Sequence, residues 1–128
     1  MARSLAAVAF CVPDYDVAIA WFVDALGFEL IEDTPLGDGK RWVVVAAHRE
    51  RGARLVLQKR AGEPANDVRV GYFLETDDFD RDHEAFLARG VRFLEPPRHE
   101  TYGTVAVFAD PWGGEWDLIQ PARPRAVL

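Results

Sequence analysis

Residues 103–120 read GTVAVFADPWGGEWDLIQ. Two apolar runs flank Asp110-Pro111-Trp112-Gly113-Gly114. Proline presets φ and glycine supplies φ > 0, so the stretch predicts a turn between two paired strands. The second strand alternates: Trp116, Leu118 and Gln120 share one face, and Glu115, Asp117 and Ile119 share the other. Asp117 is thereby a carboxylate set on the face opposite a Trp/Leu packing surface.

Working back from this hairpin, the last strand belongs to a β-α-β-β-β run. Residues 68–75 read as a strand, Asp77 as the cap of a helix ended by Gly90, and 91–94, 105–109 and 115–119 as strands. The same order occurs earlier. Residues 4–12 read as a buried strand, Asp14 as the cap of a helix with Gly27 at its C′ position, and 28–33, 40–47 and 53–59 as strands. Tyr15, Ala18, Phe22 and Leu26 give the first helix its apolar stripe. Residues 60–67 read as a linker, and 121–128 as a loose tail.

The two runs align without gaps at a shift of 63. Phe10/Phe73, Asp14/Asp77, Ala25/Ala88, Gly27/Gly90, Glu32/Glu95, Val44/Val107 and Ala46/Ala109 are identical at that shift, seven of the forty positions from 7 to 46. Their placement at caps, C′ glycines and one strand register marks a duplication. The expected fold class is α+β: two tandem βαβββ units (4–59 and 68–120) in one 1–128 domain, with curved mixed sheets facing across a cleft or half-barrel.

Composition bounds the function. The chain has 128 residues, 49% hydrophobic and 28% charged, ordinary for one globular domain. No apolar run reaches bilayer length. Pro13-Asp14 interrupts the weakly signal-like AAVAFCV. A single cysteine, Cys11, excludes an internal disulfide and agrees with a cytoplasmic location; on an apolar strand it reads as a buried, inert thiol. The net charge of −6 argues against nucleic acid as a partner.

The motifs Asp14-Tyr15, Ala18, Trp21-Phe22, Leu26-Gly27-Phe28, Phe108-Ala109-Asp110-Pro111-Trp112-Gly113 and Trp116-Asp117-Leu118 resemble those of the vicinal oxygen chelate superfamily. That superfamily includes glyoxalase I, extradiol dioxygenases, and fosfomycin- and bleomycin-resistance proteins. The resemblance runs from about Leu5 to Gln120 and implies the fold more than the reaction. It also implies a homodimer. Enzymes of the superfamily hold a divalent metal from the first and fourth strands of each unit. Those positions fall here on Ala7, Val56, Val70 and Asp117. Ala and Val offer no lone pair, and such sites usually need three or four N, O or S ligands. The expected metal set is none, and no cofactor is expected.

The remaining polar groups expected on the concave faces are Arg54, Gln58, Tyr72, Glu115 and Asp117, in an otherwise apolar cavity. Arg41 beside Trp42 is a further ligand-binding candidate, able to bind a carboxylate and stack on a ring. Against these stand an Arg54–Asp117 pair that merely neutralises the interior, and a solvated strand end at Arg41. Trp112, at a turn tip, suits a dimer contact. His48, His83 and His99 show no metal spacing, and His99 lies where a lid would overhang the cleft mouth. No nucleophile–base pair, phosphate loop or pair of catalytic carboxylates is evident. The favoured reading is a metal-free protein of this superfamily that binds a small, partly apolar molecule. The alternative is a divalent-metal lyase, isomerase or dioxygenase with an altered ligand set of Asp117 with Gln58, Glu115 or waters. A third is a module whose cavity is filled by its own side chains.

Overall fold

A computed structural model of the chain describes residues 3–60 and 70–123. The linker residues 61–67, Val68 and Arg69 at the start of the expected fifth strand, and 124–128 of the tail lie outside the described residues. The chain divides into two compact units, Met1–Pro64 and Ala65–Leu128. Each is an α+β unit with one mixed sheet.

The first unit runs β1 (Ala7–Val12), α1 (Tyr15–Ala20), β2 (Glu29–Gly37), β3 (Lys40–Ala46) and β4 (Arg54–Lys59), in sheet order β1-β4-β3-β2. β1 and β4 are parallel; the other neighbours are antiparallel. Phe10, Val12, Val43, Val45, Leu55 and Leu57 are buried on one face, and so are Tyr15, Ala18 and Phe22 of the helix. Phe22 meets Phe10 edge-on at 5.3 Å and Phe28 at 5.3 Å.

The second unit repeats this with β5 (Tyr72–Glu75), α2 (Phe79–Ala88), β6 (Arg92–Phe93), β7 (Arg98–Glu100), β8 (Gly103–Ala109) and β9 (Glu115–Pro121). Its sheet order is β5-β9-β8-β6, with β7 also on β8. The strand β7 is an addition to the expected pattern of strands. Phe79, Phe86, Phe108, Trp116 and Leu118 form the buried layer.

The duplication is real but its shift is not constant. Asp14 caps α1 by accepting from the Val17 amide at 3.0 Å. The matching cap of α2 is Asp78, not Asp77; it accepts from the Arg81 amide at 3.1 Å. Asp14/Asp78, Tyr15/Phe79 and Phe22/Phe86 therefore correspond at a shift of 64, whereas the C′ glycines Gly27 and Gly90 correspond at 63. The first helix must absorb one extra residue. It does so in a π-helical turn, Trp21–Ala25, that continues α1. The Leu26 amide reaches back five residues to the Trp21 carbonyl at 3.2 Å.

The hairpin between β8 and β9 is held by one carboxylate. Asp110 is buried, and its Oδ1 accepts from the Trp112 and Gly114 amides, both at 2.8 Å. Its Oδ2 accepts from the Trp116 indole at 3.0 Å. A Cβ on Gly114 would lie 2.2 Å from Asp110 Oδ2, so that position requires glycine. Trp116 then stacks on Phe108 at 5.8 Å and on Tyr72 at 4.6 Å.

Two stability experiments follow from these features. Asp110→Ala leaves three donors without their acceptor and should cost about 3 kcal/mol in urea unfolding, with a changed near-ultraviolet signal from Trp116. A loss under 1 kcal/mol would contradict this role for the carboxylate. Deleting exposed Asp24 should turn the π segment into ordinary helix at a cost of only about 1 kcal/mol. Deleting exposed Glu84 from α2, which has no spare residue, should unfold the chain or cost several times more. Equal costs would show that the extra residue is not what the π turn accommodates.

Candidate functional site

β-Pairing fixes what surrounds Asp117. Its cross-strand partners are Phe73 on β5 and Val107 on β8. The next row on that face holds Glu75, Ile119, Val105 and Arg98. Trp116 and Leu118, one residue to either side, point the other way and are buried in the helix-side layer. The alternation expected in sequence is the observed one.

The Oδ1 atom of Asp117 is buried and has no hydrogen-bond partner among the described residues. A native buried oxygen is rarely left so. Burial outweighs the attraction of Arg98 and holds the Asp117 carboxyl above the usual carboxylate range; Glu95 pushes it the same way. Arg98 is committed elsewhere. Its Nε donates to Glu95 at 3.0 Å and its Nη1 to Glu100 at 2.9 Å. Glu95 in turn accepts from the Val107 amide at 3.2 Å, which ties this ion-paired edge to β8. Phe73 beside Asp117 is 68% exposed.

The sequence did not single out Glu95, Arg98 or Phe73 as site residues. The cue lay in Arg98-His99-Glu100, whose alternation after Pro96-Pro97 is a short strand that places Arg98 and Glu100 on one side.

The other expected site residues are distributed as follows. Glu115 shares the face of Asp117, opposite Ala109. Tyr72 does not: it pairs with Trp116 and stacks on it, on the helix side. The error came from carrying the 63-residue shift onto β5. Pairing equates Ala9 with Phe73, a shift of 64, and a one-residue slip turns every side chain to the opposite face. The same correction replaces Val70 by Gly71 as the counterpart of Ala7, since the Gly71 amide bonds the Glu115 carbonyl and Ala7 pairs with Arg54.

In the first unit, Arg54 and Gln58 lie on one face of β4 with Val56, as expected; Arg54 donates to the Arg49 carbonyl at 3.1 Å. Arg41 is turned away from that face. It bridges Asp33 at 2.6 Å and Asp16 at 2.8 Å and sits over the Tyr15 ring at 5.2 Å. These carboxylates raise its pKa further and neutralise it, so it is a tie between β3, β2 and α1. Asp33 is thereby engaged, and its neighbour Glu32 accepts from the Trp42 indole at 2.7 Å. The histidines stand apart from Asp117's row. His48 accepts from the Glu50 amide, His83 packs between Phe79 and Phe93, and His99 lies on β7 beside Thr104 rather than in a loop lid.

The donor set does not suit a resident divalent ion. Among the described residues no three His, Cys, Asp or Glu side chains converge on one point. Asp117's neighbours in the sheet, Phe73 and Val107, are apolar, and the nearby carboxylate of Glu95 is taken up by Arg98 and a backbone amide.

Comparison with known proteins agrees with this architecture. Residues 4–118 match the model of the Glyoxalase/Bleomycin resistance protein/Dioxygenase superfamily, and the chain belongs to that superfamily. Among relatives, an uncharacterized protein of Shewanella frigidimarina (strain NCIMB 400) is 42% identical over 128 residues, covering 94% of this chain and 95% of that one. Among solved structures, TnmS3, an antibiotic binding protein from Streptomyces sp. CB03234, is 35% identical with a TM-score of 0.73, over 95% of this chain and 99% of that one. UcmS2 is 28% identical with a TM-score of 0.77, over 93% and 98%. No helix among the described residues is long and apolar enough to cross a membrane.

Asp117 should cost stability. Its folded-state pKa lies above the unfolded value, so the folded chain holds the proton longer. Wild-type stability then falls as pH rises from the ordinary carboxylate value through the raised one, and stays lower above it. Asp117→Val should be more stable than wild type at pH 7 by about 1 kcal/mol, with the gain shrinking in acid. A variant destabilised equally at pH 3 and pH 7 would make Asp117 a structural residue.

Proposed function

We propose that this chain is a binding protein, which takes up a small, partly apolar molecule at the sheet face carrying Asp117 and needs no metal to do so. The observation that carries this reading is the unpaired, buried Oδ1 of Asp117 amid apolar neighbours. A carboxylate is held on this face with one oxygen for which the described residues supply no donor. The pattern of one polar group in an apolar surround is that of a ligand site. Likeness over nearly full length to an antibiotic binding protein supports the same reading. Glu115, on the same face, is the second polar group available to a ligand. Arg54 and Gln58, on the corresponding face of the first unit taken by itself, are proposed as ligand-binding groups of that unit. A homodimer, as commonly formed in this superfamily, and a cytoplasmic location complete the proposal.

The experiment is ligand-observed NMR with a panel of small aromatic compounds, on protein dialysed exhaustively against EDTA. Binding should survive the dialysis, and Asp117→Ala should weaken it at least tenfold, the equivalent of one charge-assisted hydrogen bond. Binding that returns only with added Zn, Mn, Ni or Fe at one ion per chain would overturn the reading in favour of a metal enzyme. So would chemical turnover of a bound compound that depends on such an ion.

A further inference from the structure

We infer that the molecule taken up at this face is an organic ammonium, its N–H donated to the half-buried Asp117 carboxylate and its apolar part laid on the Phe73 ring. The inference rests on the binding reading above and narrows it to a class of ligand.

Three classes could satisfy an unpaired carboxylate oxygen: a neutral O–H or N–H donor, a cation that donates, or a proton. Charge separates them. Asp117 makes no ion pair among the described residues, whereas its cationic neighbour Arg98 is already held by Glu95 and Glu100. Glu95 and Glu100 thus take up this guanidinium, and Asp117 is left without an ion pair among the described residues. A neutral donor would supply the hydrogen bond but leave that charge uncompensated. An ammonium supplies both, and a bond to a charged group is worth more than a neutral one. An anion would be repelled by Asp117, Glu95, Glu100 and Glu115, with Arg98 already engaged.

Phe73 supplies the second half of the recognition. It is Asp117's direct partner across β5 and β9, where cross-strand side chains sit side by side. Its ring is 68% exposed, more than any other Phe or Trp among the exposed hydrophobic residues. An aromatic face next to a carboxylate attracts cations through its quadrupole and covers an alkyl or aryl group by apolar contact. On the other side, Val107 and, one row along, Ile119 continue the apolar surface. The counterpart positions in the first unit are Ala9, Val56 and Val44, so neither the carboxylate nor the ring is something the repeat requires.

The test uses three probes that share one ring: benzylamine, benzyl alcohol and benzoate. Each is titrated into ¹⁵N-labelled full-length protein at pH 7, following the amides of Phe73, Val107 and Asp117. Benzylamine should move these amides with an affinity at least tenfold above benzyl alcohol, and benzoate should not move them. Asp117→Asn, which keeps the shape and removes the charge, should cost benzylamine at least tenfold and leave benzyl alcohol unchanged. Phe73→Ser should weaken both ring compounds while preserving their order. Equal affinity for benzylamine and benzyl alcohol, or preference for benzoate, would overturn the ammonium inference and leave the binding reading standing. No response of these amides to any of the three would overturn both. Folding of each variant is read from the dispersion of the same spectra.

Discussion

The buried carboxylate of Asp110 governs the geometry of the second unit. A charged group inside a protein is tolerable only when its lone pairs are met, and here three N–H donors meet them. Two come from the turn itself and one from Trp116, at the start of the outgoing strand. The turn cannot slip by a residue without breaking the indole bond, so the pairing of β8 with β9 is fixed at its tip. Register, once fixed there, decides the face of every later residue. Trp116 and Leu118 go to the helix and Asp117 to the other side. The placement of the candidate site is thus a consequence of the bond between the Trp116 indole and Asp110, six residues apart in sequence.

That dependence explains which parts of the molecule were legible in the sequence. The hairpin was readable because all its determinants are local: Asp, Pro, two glycines and a strictly alternating strand lie within twenty residues. The face of Asp117 came out correctly for the same reason. The face of Tyr72 did not, because it was inferred from an internal repeat whose shift was taken as uniform. A π turn in the first helix adds a residue after Phe22, and the strand before the helix is out of step with the strands after it. Identities at Gly27/Gly90 and Val44/Val107 are sound on one side of the turn and mislead on the other. Arg41 escaped for a different reason: its partner Asp16 lies 25 residues away on the helix, a distance at which periodicity carries no information.

The contrast between the two units separates what the fold needs from what it carries in addition. Sheet pairing makes Val56 the counterpart of Asp117, and Ala9 the counterpart of Phe73. The first unit forms its parallel β1–β4 pair with small apolar residues at these positions. The same backbone arrangement in the second unit bears an ionisable group and a large exposed ring. Nothing in helix-to-sheet packing calls for either, since both point away from the layer of Phe79, Phe86 and Trp116. An acid whose charge is disfavoured by its surroundings works against folding, unlike Asp110, whose charge is fully met.

A buried acid and a half-buried one in the same hairpin therefore illustrate opposite uses of the same chemistry. Asp110 has a donor for each oxygen, stands at the turn, and would leave donors stranded if removed. Asp117 has an oxygen without a donor among the described residues, stands mid-strand, and would leave no donor stranded among them if removed. A fold that has already provided one carboxylate with three N–H groups has shown that its backbone and side chains can satisfy such a group where structure demands it. The second, seven residues on, has an oxygen with no donor among the described residues, and the proposed ligand is what would supply one. In the proposed reading the site is that incompleteness: a carboxylate fixed by the hairpin, flanked by Phe73 and Val107, and completed by a molecule that brings a donor.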